Sequence, residues 1–197
     1  MCIRDSLGTV AFVLGARSAL AIIETTALGY DKMERWPDFE IIGWLGAALY
    51  FINALAICCM PIGLIAMASQ QNWLTFLSVP VVFIFFPLVF MSMLDNASPM
   101  VPYSRFIRSS VTHVKGAWIK FYVQAAIIFG LLIATHIGAA LLYPSMGIVT
   151  AYLATLVTVA LGVVYVRLMG RLAWVIDEKM TKRSNEETAP PEMAISK

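Results

Sequence analysis

A chain of 197 residues in which 60% are hydrophobic and 13% charged is unlike a water-soluble domain, where about half are apolar and about a quarter charged. The mean hydropathy of +0.80 agrees, and a formal net charge of +2 is too weak to argue for nucleic acid as a partner. Both observations direct most of the chain into lipid.

The first six residues, MCIRDS, stand apart from the rest. Back-translated, they can be written ATG TGT ATA AGA GAC AG plus one base, the mosaic end carried by transposon-based sequencing libraries. Residues 1–6 are accordingly expected to be a library artefact and the chain an N-terminally truncated fragment. Arg4 and Asp5 cancel, so the net charge survives their removal.

A bilayer core takes about 20 apolar residues as a helix. Residues 7–29 are apolar but interrupted by Arg17 and Glu24; they read as a first span, possibly cut short, or else as a helix lying partly in the interface. Residues 41–68 are long enough to cross with tilt, and Pro61 is expected to kink their outer part. Cys58 and Cys59 within this run read as small lipophilic side chains, since no C-x-x-C spacing supports a metal or disulfide, and no cofactor is expected. Residues 73–94 carry Pro80 and Pro87, and residues 117–143 and 147–168 complete the set. The expectation is an all-α membrane protein, a bundle of about five transmembrane helices occupying residues 7–176.

Between the third and fourth spans, Ser104 is placed to cap a short interfacial helix over SRFIRSSVTHVKGAW. Phe106, Ile107, Val111, Val114 and Trp118 fall on its apolar side, with Arg105, Arg108 and Lys115 offered to anionic lipid head groups. Residues 177–197 are charged and poor in large apolar groups, which predicts a disordered cytoplasmic tail. Basic residues collect in cytoplasmic loops, and here they fill the connector after residue 95 and the stretch after residue 166. The short links near residues 69–72 and 144–146 have none. The C-terminus is therefore predicted to be cytoplasmic.

Helices in lipid associate where small residues admit close backbone approach. The fourth span offers Ala126, Gly130, Ala134 and Gly138 at i, i+4 spacing, and the fifth offers Thr150, Ala154, Thr158 and Gly162. Joined by a tight link, the two stripes are expected to face each other as a packing seam. At the cytoplasmic boundary, Asp95 and Asn96 end the third span while Arg167 and Arg171 lie one turn apart on the fifth. This predicts either an Asp95–arginine pair or independently solvated charges. Polar groups at membrane depth are functional candidates by default, here Arg17, Glu24, Asn53, Gln124 and His136. For His136 a bond to a neighbouring backbone or hydroxyl group competes with a proton relay.

No H-E-x-x-H, Walker A loop, Gly-flanked serine or Asp-rich phosphotransferase site occurs, so an enzyme is not expected in this stretch. The combination WPDFE, MLDNASP-x-VPYS and YVRLMGRLAWVI resembles an uncharacterised group of bacterial multi-pass membrane proteins, over about Trp36 to Ile176. The resemblance implies a bacterial inner-membrane location and carries no functional residues. Two functions remain: a structural or interaction module, or a transporter or permease-type subunit with the five polar groups lining one path.

Overall fold

A computed structural model of the chain describes residues 3–30, 41–69 and 78–188. Every element in it is helical: α1 (Ile3–Ala27), α2 (Ile41–Ser69), α3 (Ser78–Asp95), α4 (Arg105–His113), α5 (Lys115–Met146) and α6 (Ile148–Thr188). Among the described residues, 4 helices (α1, α2, α5 and α6) have apolar stretches long enough to cross a membrane, and α3 adds a shorter apolar helix over Pro80–Asp95. The chain is an all-α membrane bundle. The link predicted at residues 69–72 and the start of the third span fall almost wholly outside the described residues.

The helices form a ring. α1 packs between α2 and α6, α2 packs on α3, and α5 packs on α6. Side chains close the gap between α3 and α5, with Phe83 against Tyr122 and Phe129 at centroid separations of 6.2 and 5.6 Å. Pro87 withdraws the N–H that would serve the carbonyl of Phe83, loosening this turn of α3. One residue on, the Tyr122 hydroxyl donates to the carbonyl oxygen of Ile84 at 2.6 Å and ties the two helices together. Phe90, Met93, Met169 and Ile176 are fully buried at the centre. Phe51 of α2 lies 4.6 Å from the Phe90 ring, which in turn stacks on Phe86.

Two helix ends use the same chain reversal with different residues. At the end of α1, the Gly29 N–H donates to Thr26 and the Tyr30 N–H to Thr25, a Schellman motif with Gly29 at φ +81°. α3 ends alike, Ala97 donating to Leu94 and Ser98 to Met93, but here Ala97 takes the left-handed position at φ 48°. A Cβ is disfavoured there by about 1–2 kcal/mol.

A tight helix crossing lies where no stripe was expected. A Cβ added to Gly170 of α6 would stand 2.7 Å from the Thr26 Cβ and 2.9 Å from the Ile23 carbonyl oxygen of α1. By contrast, a Cβ on Gly130, Gly138 or Gly162 meets no heavy atom within 4 Å. Ala126, Gly130 and Ala134 are exposed, whereas Thr150 is buried and Ala154 and Thr158 are half-buried. The predicted seam is therefore corrected. α5 and α6 are neighbours, but Ala126, Gly130 and Ala134 of the α5 stripe face outwards, while Gly138 and Gly162 are half-buried without a close contact. The reason is rotational: an i, i+4 series drifts by about 40° per step around a helix. The bulky set Trp118, Phe121 and Ile128, buried in the bundle, fixes the rotation of α5 instead.

The C-terminal expectation also changes. α6 is continuous to Thr188, so residues 177–188 are helical rather than disordered, and the remaining predicted tail lies outside the described residues. Charge spacing accounts for this. Lys182 donates to Glu178 at 2.5 Å, one turn back, in the i, i+4 arrangement that supports an exposed helix.

Candidate functional site

Polar chemistry concentrates at one end of the ring, where α3 turns into α4 and where α1 ends against α5 and α6. The first of these is an elbow built from the MLDNASP-x-VPYS residues. The Ser104 hydroxyl accepts from the backbone N–H groups of Phe106 and Ile107 at 3.1 and 3.3 Å, capping α4 as its position in the sequence predicted. The same hydroxyl donates to Asp95 Oδ2, tying the last residue of α3 to the first turn of α4. Asn96 Nδ2 donates to the carbonyl oxygens of Val101 and Tyr103 at 3.3 and 2.8 Å, folding the intervening loop back on itself. Asn53 reaches across from α2 and donates to the carbonyl oxygen of Pro99 at 3.3 Å. On the far side, Trp118 Nε1 donates to the buried Ser110 hydroxyl at 3.2 Å and locks α4 to α5.

The boundary pairing therefore takes a different form. Among the described residues, the Asp95 carboxylate takes the Ser104 hydroxyl and not Arg167 or Arg171, and both arginines are engaged in interactions of their own. Sequence spacing offered the arginines as partners because they share a depth, with independent solvation as the alternative. The nearer donor is a residue whose position depends on the loop between.

The second feature is a cleft of about 560 Å³ between the C-terminal end of α1, the first turns of α5 and the Leu168–Lys179 stretch of α6. Lys120, Arg171 and Lys179 line it together with Gln124, Thr26 and Tyr30, and Phe121, Leu172 and Trp174 form its apolar wall. No carboxylate is among its described lining residues. α5 begins beside it at Val114, which supplies no side-chain cap, so the positive end of the α5 dipole adds to the same field. Three positive side chains and a helix start face one opening: the cleft suits an anion.

Of the five polar candidates at membrane depth, only Gln124 enters this cleft. Asn53 belongs to the elbow. His136 lies towards the opposite end, in a separate cavity of about 380 Å³ between α5 and α6. Its Nδ1 is 2.9 Å from the carbonyl oxygen of Leu132, the backbone bond expected of such a residue. Glu24 is exposed on α1 and Arg17 half-buried. Arg105, Arg108 and Lys115 are exposed around α4. Arg108 Nη1 donates to the Tyr103 hydroxyl at 3.1 Å, a bond that moves its pKa above the ordinary arginine value.

Sequence reading missed Lys179, Trp174 and Thr26 as site residues. The signal for the first two lay in the hairpin register, since Lys120 and Trp174 stand equally far from Gly147, the single break between α5 and α6. Arg171 and Lys179 then share a face of α6 opposite Lys120. Compared with known families, curated proteins and solved structures, the chain matches none.

Proposed function

We propose that the chain is a membrane-embedded interaction module of the bacterial inner membrane, with the elbow, the basic cleft and the C-terminal end of α6 on the cytoplasmic side. The observation that carries this reading is the dispersal of the polar groups. Asn53 serves the elbow, Gln124 the cleft and His136 a cavity at the other end. A translocation path requires such groups to converge. The orientation is supported by the gathering of Arg105, Arg108, Lys115, Lys120, Arg171 and Lys179 at one end of the ring. The placement in a bacterial inner membrane agrees with the resemblance carried by the elbow and α6 motifs. At 41 residues, α6 is about 61 Å long, roughly twice the bilayer core. Its charged last turns stand in water as a surface for a partner protein.

Photocrosslinking from Asp177 or Thr181 in intact membranes tests the reading. A discrete protein adduct from these turns is the expected result. Absence of any adduct, with protein-dependent solute flux in proteoliposomes that His136→Ala or Gln124→Ala abolishes, replaces it with transport.

A further inference from the structure

The cleft between α1, α5 and α6 has a chemistry more specific than a general affinity for the bilayer. We propose that it binds the phosphate headgroup of an anionic phospholipid, with Lys120 and Lys179 as the principal charge contacts and Trp174 beside the glycerol region. This inference rests on bilayer placement and not on the interaction-module reading.

Three observations converge. The first is charge: Lys120, Arg171 and Lys179 line one opening, where an oxyanion would meet several cationic groups at once. Arg171 already has another interaction, which leaves the two lysines to carry most of the new contact. The second is depth. Lys120 lies in the second turn of a 32-residue helix, about 48 Å long, that overshoots the hydrocarbon core. The cleft also opens where α1 ends in its Gly29 reversal, so it sits at headgroup level. The third is amphiphilicity. Phe121, Leu172 and Trp174 line the same cleft beside the cations, an apolar surface that an acylated phosphate uses and a free phosphate does not. The Trp174 ring is itself held in place against Gly29, whose added Cβ would meet Trp174 Nε1 at 3.2 Å. A cavity of about 560 Å³ accommodates a glycerophosphate headgroup and leaves the acyl chains in the bilayer.

The test uses the full chain purified in a neutral detergent, with melting followed as lipid is titrated in. Phosphatidylglycerol is expected to raise the melting temperature, while phosphatidylcholine of the same acyl chains, inorganic phosphate and glycerol phosphate leave it nearly unchanged. Lys120→Gln and Lys179→Gln should each weaken the apparent lipid affinity about fivefold. The paired arginine variants Lys120→Arg and Lys179→Arg should keep the response, which separates lost charge from lost folding. An equal shift with phosphatidylcholine overturns the proposal, as does an undiminished response in the double glutamine variant. If inorganic phosphate alone reproduces the whole shift, the site takes a soluble anion and the lipid assignment falls. A chain that stays monodisperse without detergent would instead remove the bilayer placement itself.

Discussion

The two halves of the α5–α6 hairpin follow different packing rules. At the α4 end, Trp118, Phe121, Ala125 and Ile128 of α5 and Met169, Leu172 and Ile176 of α6 are all buried, with α1, α3 and α4 packed around them. At the Gly147 end, over residues 130–164, Thr150 alone among the described side chains is buried. Ile137, Leu141, Tyr152 and Leu153 instead face outwards. The glycines sort the same way. Gly170 is pressed against the α1 backbone, while Gly130, Gly138 and Gly162 have open space where a Cβ would go. Small residues in a membrane helix therefore do not by themselves locate a contact. Contact follows the bulky residues that fix each helix's rotation, and a glycine is needed only where two backbones are forced together.

Substitutions can break or sharpen that contrast. The largest effect belongs to Gly170→Leu. With a first carbon already 2.7 Å from Thr26 and 2.9 Å from the Ile23 carbonyl, the side chain must force α1 from α6. A loss of about 3 kcal/mol is expected, read by denaturant-induced unfolding in micelles. Ser104→Ala should come next, at about 1–2 kcal/mol, because it removes the α4 cap and leaves Asp95 without its donor. In a cycle with Asp95→Ala, Ser104→Ala should couple, whereas Arg171→Ala should be additive with Asp95→Ala. Ala97→Gly should stabilise by about 1 kcal/mol, since it relieves a Cβ at φ 48°. Gly29→Ala should cost a similar amount, and equal melting of the two variants would show that neither reversal is strained. Tyr122→Phe removes one inter-helix bond to Ile84 and should cost about 0.6 kcal/mol. Smallest of all, Gly130→Leu should change stability by less than about 0.5 kcal/mol. A large loss there would restore the small-residue seam.

The apolar runs made the spans legible, because membrane crossing depends on length and composition alone. Residues 41–68 predicted α2 to within a residue of its observed end at Ser69, and even the interrupted first segment emerged as a membrane-length helix over Val10–Ala27. Ser104 was legible for a local reason: a cap depends on its own next two or three residues. The partner of Asn53 was not legible, since it is a carbonyl 46 residues away whose position depends on the loop fold. Gly170 was hidden between two arginines that drew the attention of charge-based reading. Residues 177–188 were misread because composition registers charge but not its i, i+4 order, which Glu178 and Lys182 supply.

α6 is a single uninterrupted rod pinned by Gly170, with an arm of about 33 Å reaching one tip and about 27 Å the other. A rigid rod tilted about that crossing would carry its two tips in opposite directions, in the ratio of the two arms. The glycine that permits the crossing thus also marks where such a tilt would turn.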